Sequence, residues 1–197
     1  EVPFVQGRRL EPGEHEAYFA AEPSPEEQPL LEHCRRAIEK GLSRRGSHGL
    51  PLIGSGDWND GMNRVGSEGK GESVWLAWFL IDTLESLLEV CESKLDSTQA
   101  ETYRGAIEEL TDAVERHGWD GEWYRRGYFD DGTPLGSRAN KEARIDSLPQ
   151  SWAVLSEAAR PERAASAMRA AERQLVLDAD KLILLFDPPF DHSAQHP

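Results

Sequence analysis

Residues 74–91 read Val74-Trp-Leu-Ala-Trp-Phe-Leu-Ile-Asp-Thr-Leu-Glu-Ser-Leu-Leu-Glu-Val-Cys91. Apolar side chains at Val74, Trp75, Trp78, Phe79, Ile81, Leu84, Leu87, Leu88 and Cys91 recur at helical spacing and cover more than one face. This predicts a deeply buried helix over 72–94. Its neighbours repeat the pattern in weaker form. A helix is expected to open near Pro25, with Ser24 as its N-cap and Glu26 and Glu27 in the first turn, and to bury Leu30, Leu31, Cys34, Ile38 and Leu42. A more polar, outer helix is expected over 97–117. Two more are expected near 148–159 and 161–176, the second with Pro161 in its first turn. Residues 1–23 read as an extended arm or linker, and 182–186 as a short apolar run of either type. The fold class is therefore read as all-α. Alternation of greasy and amphipathic helices with long polar loops suits a double-layered α/α barrel, although a plain helical bundle would present the same pattern. Glu1-Val-Pro-Phe4 at one end and Asp187-Pro-Pro-Phe-Asp191 near the other read like interior sequence, so a single fragment of a longer polypeptide is expected.

Two loops interrupt the helices. The first, 46–71, is rich in glycine and holds Gly54-Ser-Gly-Asp-Trp-Asn-Asp-Gly-Met-Asn63. Loops this long inside a domain tend to be functional. Here Asp57, Asn59 and Asp60 supply groups that hydrogen-bond sugar hydroxyls. Trp58 supplies a flat apolar face for the C–H side of a pyranose, and the glycines let backbone approach a ligand. A carboxylic acid kept protonated near an aromatic could protonate a glycosidic oxygen. Two other readings compete. A calcium loop needs oxygen ligands at alternate positions, which Asp57 and Asn59 meet and Gly61 does not. A structural turn would use the same Asp and Asn side chains as backbone caps.

The second loop, 118–146, contains Trp119-Asp-Gly-Glu-Trp-Tyr-Arg-Arg-Gly-Tyr-Phe-Asp-Asp-Gly132. Its interleaved aromatics and charges fit either a sugar-binding wall or a hairpin packed on the rim of the helices. Asn140-Lys-Glu-Ala-Arg-Ile-Asp146, followed by Gln150-Ser-Trp152, is either a solvated surface or part of the same site.

The 197 residues suffice for one domain with a core. A net charge of −14 makes nucleic acid and membrane-surface binding poor prospects, because such a surface repels both. No apolar run approaches the ~20 residues that cross a bilayer. Cys34 and Cys91 lie in helix-like segments and read as buried free thiols of a reducing compartment. The six histidines, His15, His33, His48, His117, His192 and His196, lack zinc-ligand spacing, so no metal is expected. No nucleophile-elbow, phosphate-loop or dinucleotide fingerprint occurs.

The stretch His48-Gly-Leu-Pro-Leu-Ile-Gly-Ser-Gly-Asp-Trp-Asn-Asp-Gly-Met-Asn-Arg-Val-Gly66, with Gly69-Lys-Gly-Glu-Ser-Val-Trp-Leu-Ala-Trp-Phe-Leu80, resembles glycoside hydrolase family 94. That family includes cellobiose, chitobiose and β-1,2-oligoglucan phosphorylases. Glu1-Val-Pro-Phe4, Leu10-Glu-Pro-Gly13, Trp123-Tyr-Arg-Arg126, Phe129-Asp-Asp-Gly-Thr-Pro-Leu-Gly-Ser137, Ile145-Asp-Ser147 and Gln150-Ser-Trp-Ala-Val-Leu-Ser156 are most similar to the phosphorylase-like modules of cyclic β-1,2-glucan synthases. The resemblance implies about the second half of an (α/α)6 barrel. It implies reversible, inverting phosphorolysis of a β-glucan, with inorganic phosphate and α-glucose 1-phosphate as co-substrates and no other cofactor. Asp60 is implied as the general acid. Trp58 is implied in the donor glucose subsite, and Lys141 and Glu142 in the acceptor subsite; Asp57, Asn59, Tyr124 and Gln150 complete the expected substrate-binding set. The expected partners are the β-glucan oligosaccharide, phosphate and the remainder of the parent polypeptide. The implied location is cytoplasmic, with the parent anchored in the inner membrane and this module making no direct membrane contact. One departure is visible: cellobiose-type members carry a phosphate-binding histidine shortly after the Lys-Glu pair, and residues 143–149 contain none. A stand-alone oligoglucan phosphorylase and a non-catalytic glucan-binding segment are the alternatives. The fragment by itself is expected to be inactive and to expose an inner helix face near Trp75 and Phe79.

Overall fold

The computed structural model describes residues 1–197 except 12, 15–16, 94–95 and 193–197, and except the side chain of Asp60. His15 and His196 of the histidine survey, and the expected end of the buried helix at residue 94, thus lie outside the described residues. The chain divides into two units, Glu1–Ser43 and Arg44–Pro197.

In the first unit, strands β1 (Val2–Gln6) and β2 (Glu22–Gln28) pair antiparallel, with an irregular register between Pro3 and Val5. Helix α1 (Leu30–Leu42) follows, starting five residues later than the sequence suggests. The cause is proline. Glu22, Ser24 and Gln28 each precede a proline, which disfavours helical backbone at all three. The chain therefore stays extended until Pro29, and Ser24 Oγ accepts from Glu26 N–H within the strand instead of capping the helix. Within α1 Ile38 is buried and Leu31, Cys34 and Leu42 are half-buried, while Leu30 is exposed.

The second unit begins with the 46–71 loop. Strand β3 (Glu72–Ser73) leads straight into α2 (Val74–Ser93), followed by α3 (Ser97–Ala113). A single π-helical turn, Val114–Gly118, ends α3. Short strands β4 (Gly127–Tyr128) and β5 (Pro134–Leu135) complete a three-stranded antiparallel sheet in the order β3-β4-β5. Then come β6 (Ile145–Asp146), α4 (Ser147–Leu155) and α5 (Pro161–Leu175), with Pro161 in the first turn as expected. Strands β7 (Val176–Leu177) and β8 (Leu182–Ile183) pair with each other, and β9 (Phe186–Asp187) pairs with β6. Helix dominates, but these strands make the chain mixed rather than all-α. The strands carry no long alternating pattern; β3 to β9 are two residues each and are set by where loops cross, which periodicity does not record.

Packing follows the expected greasy helix. Helix α2 lies against α3 and α4, and α4 against α5. Val74, Ala77, Trp78, Ile81 and Leu84 are completely enclosed. Phe79, read from the sequence as part of that face, is 42% exposed. It stacks on Trp75 and meets Trp152 edge-on, at ring-centre distances of 5.9 and 5.1 Å.

Directly after β5, Gly136 has φ +76°, and a Cβ there would sit 2.4 Å from the Arg126 amide nitrogen. Gly136→Ala is expected to cost at least ~1–2 kcal/mol from the left-handed backbone alone. A lower urea midpoint with an unchanged slope would register it.

Candidate functional site

The loop carrying Asp57 to Asp60 is tied down from two sides. Ile53 N–H donates to Gly71 O at 2.9 Å. The Asp130 carboxylate accepts from the N–H groups of Glu68, Lys70 and Gly71, each at 2.8 Å. Burial pushes the Asp130 carboxyl up, but these donors outweigh it and hold it below the ordinary carboxylate range. Beneath the loop, Ile53, Met62 and Val65 share a core with Leu135 and Ala143, joined by Phe129, Phe186 and Phe190. The two long loops of the sequence are thus packed on one apolar floor.

Within the motif, Asp57 Oδ1 accepts from Asn59 N–H at 2.9 Å, and Asn59 Oδ1 accepts from Gly61 N–H at 3.2 Å. Asn59 thereby caps a single 3₁₀ turn, Asp60–Met62. This is the structural-turn reading, realised in the backbone of the very residues expected to carry chemistry. Trp58 projects from this frame with 84% of its surface exposed, a bare aromatic face on a braced loop. The side chain of Asp60, the expected general acid, lies outside the described residues.

Asp57 is not free to meet a ligand. Its side chain is 2% exposed and accepts from Arg126 Nη2. Arg126 is itself buried, donates through Nη1 to Ser73 Oγ at 3.1 Å, and lies 3.3 Å through Nε from Asp146 Oδ2. Its guanidinium also sits over the Trp75 ring, 5.6 Å from the centre. Asp146 Oδ1 caps α4 by accepting from Leu148 N–H at 2.8 Å. Burial pushes the Asp146 carboxyl up to about 6, against the pull of Arg126 and the Leu148 N–H and helped by the charge of Asp57.

Lys141 and Glu142 border a pocket that Phe129, Leu135, Asn140 and Phe190 also line. Lys141 is exposed, and Glu142 Oε1 accepts from the N–H groups of Asp191 and His192 at 2.9 and 2.6 Å. Tyr124 and Gln150 lie elsewhere, fully buried. Gln150 Oε1 accepts from Tyr124 N–H, while Nε2 donates to Tyr124 O and Asp146 O. Tyr124 Oη donates to Glu115 at 2.7 Å, and burial followed by that bond drives its hydroxyl well above the ordinary tyrosine range. Both side chains are engaged by the protein and brace the second loop rather than line an open surface.

The aromatics of that loop resolve the same way. Trp123 is buried and donates to Gly136 O and Arg144 O at 2.9 and 3.0 Å. Tyr128 is buried as well, so the packed-hairpin reading describes this segment. Among the described residues, no group of three or more His, Cys, Asp or Glu could hold a metal ion, and no helix is long and apolar enough to cross a membrane.

Sequence reasoning passed over Arg126. The signal was its place between Tyr124 and Tyr128: in extended chain these alternate positions share a face, and the two tyrosines mark that face as buried. A buried arginine demands carboxylates, which leads to Asp57 and Asp146.

The braced glycine-rich loop thus presents one bare tryptophan face to solvent. Residues 2–197 match the model of the glycosyl hydrolase 94 superfamily, catalytic domain, and the chain belongs to that family. It is 46% identical over all 197 residues to the cyclic beta-(1,2)-glucan synthase NdvB of Rhizobium meliloti, covering 7% of that protein. It is 37% identical over 161 residues, 82% of the chain, to a 3-O-beta-D-glucopyranosyl-beta-D-glucuronide phosphorylase of Paenibacillus borealis, covering 20% of it. An N,N'-diacetylchitobiose phosphorylase of Vibrio furnissii is 30% identical over 143 residues, 72% of the chain and 17% of that protein. The chain therefore spans a fifth or less of the length of these relatives.

The raised carboxyl of Asp146 gives a prediction with a definite sign. An aspartate raised in the fold stabilises it below the unfolded value of about 3.9 and loses that contribution as pH rises through about 6. Between pH ~4 and ~6 the wild type should lose stability relative to Asp146→Asn, and the difference should level off above that window. Melts of both proteins from pH 4 to 8 measure it; a difference that stays flat would contradict the buried carboxyl.

Proposed function

We propose that the chain is part of the catalytic (α/α)6 barrel of an inverting β-glucan phosphorylase module, about its second half, within a larger cyclic β-1,2-glucan synthase. The observation that carries this reading is the Asp57-Trp-Asn-Asp60 loop, which presents Trp58 bare to solvent from a frame held by buried charge. Membership of the glycosyl hydrolase 94 superfamily and the names of the relatives support it. The half-exposed apolar residues Phe79 on α2 and Val154 and Leu155 on α4 support a barrel face on which further helices of the parent close. By itself the chain is then expected to be inactive. The free thiols Cys34 and Cys91 support a reducing, cytoplasmic setting for the module.

In the proposed reaction, Trp58 stacks on the donor glucose and Asn59 lies beside it, while Lys141 and Glu142 receive the acceptor sugar. Asp60 gives its proton to the glycosidic oxygen as the bond from that oxygen to the anomeric carbon breaks. Phosphate attacks the same carbon from the opposite face, so the configuration inverts and α-glucose 1-phosphate forms. An inverting hydrolase needs a second carboxylate to activate water. Phosphate is already an anionic nucleophile, so a single acid suffices. In synthesis the ionised Asp60 takes the proton of the acceptor hydroxyl and phosphate leaves.

The test is phosphate release by the intact parent supplied with α-glucose 1-phosphate and sophorose. Asp60→Asn is expected to lower kcat by about 10²–10⁴-fold, the range for loss of a general acid–base group. Equal release in wild type and variant would move the acid elsewhere. No release from either would favour a glucan-binding segment without catalysis.

A further inference from the structure

We propose that Arg126 is a positioning residue of the phosphorylase site: it locks the turn carrying Trp58 and Asp60 to the start of α4, and so sets the donor side and the Lys141-Glu142 side in one register. The inference rests on the phosphorylase reading and deepens it. Arg126 touches three segments that are far apart in the chain: Asp57 in the motif loop, Ser73 at the head of α2 and Asp146 at the head of α4. A planar guanidinium hydrogen-bonded to Asp57 and Ser73 and facing the Asp146 carboxylate is held in one orientation. From Arg126 the constraint passes to Asp57, whose Oδ1 also accepts from Asn59 N–H; Asn59 then holds Gly61 through its side chain and Met62 through its carbonyl. On the other side, Asp146 begins α4 directly after the 140–146 segment that bears Lys141 and Glu142.

Folding stability does not account for this arrangement. Buried ion pairs contribute little net stability compared with apolar residues of similar volume, because desolvation offsets attraction. Here two carboxylates face one guanidinium, and Arg126 Nε and Asp146 Oδ2 stand 3.3 Å apart without hydrogen-bond alignment. What such a cluster supplies is a unique geometry. The first aspartate of the motif is accordingly a holding residue, since its carboxylate is enclosed and committed to Arg126 and Asn59.

Two conservative changes separate holding from sugar contact. Asp57→Asn keeps an acceptor for Asn59 N–H and removes only the charge facing Arg126. Arg126→Lys keeps the charge and removes the fork. In the full-length enzyme each is expected to lower kcat for phosphate release by about 100-fold, the scale of a slight misplacement, with KM for α-glucose 1-phosphate changed by about threefold or less. The double variant should fall no further than the worse single one, because both cut the same link. Amide hydrogen exchange should quicken at Asn59, Gly61 and Met62 while α3 and α5 keep their protection. A raised KM in Asp57→Asn that adds to the effect of Arg126→Lys would make Asp57 a sugar ligand and overturn the inference. So would faster exchange throughout the chain with kcat unchanged. Wild-type activity that is lost in Asp60→Asn but intact in Arg126→Lys sinks the inference and leaves the phosphorylase reading standing. A wild type that releases no phosphate sinks both.

Discussion

The guanidinium of Arg126 has to be buried for the two long loops to meet, and it can be buried only because Asp57 and Asp146 face it. An unpaired charge in that position would cost several kcal/mol. The order of the surrounding elements follows from this constraint. The β4–β5 hairpin must deliver Arg126 inward, Ser73 must offer its hydroxyl at the start of α2, and the motif loop must turn at Asp57. Gly136, with its left-handed backbone against the Arg126 amide, is part of the same requirement.

The helices and the loops of the second unit are held by different physics. Trp78, Ile81, Leu84 and Leu110 are removed from water entirely, and apolar burial of that kind is non-directional. It fixes that α2 lies on α3 and α4 but leaves the placement of a loop open. The loops have fewer apolar residues and are fixed by polar contacts, such as Asp130 gathering three backbone donors and Gln150 clamping both backbone groups of Tyr124. Directional bonds in enclosed surroundings specify one geometry, and the site proposed above, which places an acid and a sugar face, needs that specificity.

Helical periodicity made α2, α3, α4 and α5 legible: α2, α3 and α4 bury residues at spacings of three and four, and α5 buries Ala167, Ala170 and Leu175 along one side. It failed at the start of α1, where Pro23, Pro25 and Pro29 overrule a favourable cap, and at the two-residue strands, which are too short to have a period. Residue types alone single out the motif loop as a candidate site, and on it Trp58 stands exposed. Asp57, Tyr124 and Gln150 carry the same polar groups as ligand-binding residues, and composition cannot say whether such a group faces outward or inward. That difference is decided by partners outside the local motif: Arg126 for Asp57, Glu115 for Tyr124, the backbone of residue 124 for Gln150.

The mechanism proposed above has its acid on a loop, so the geometry of that loop bears on the rate. In the proposed reaction the leaving oxygen has one proton source, Asp60, so misplacement of that acid lowers the rate. A glycine-rich loop is the least suited backbone for such precision, since glycine has the largest conformational freedom to lose. Glycine is still needed where the chain turns sharply, as at Gly54 with φ +67°. The conflict is resolved in this chain by anchoring the loop at its non-glycine residues. Asp57 is bound to buried charge, Asn59 closes the turn, and Ile53, Met62 and Val65 are sunk in the shared core, while the glycines between them keep the turns.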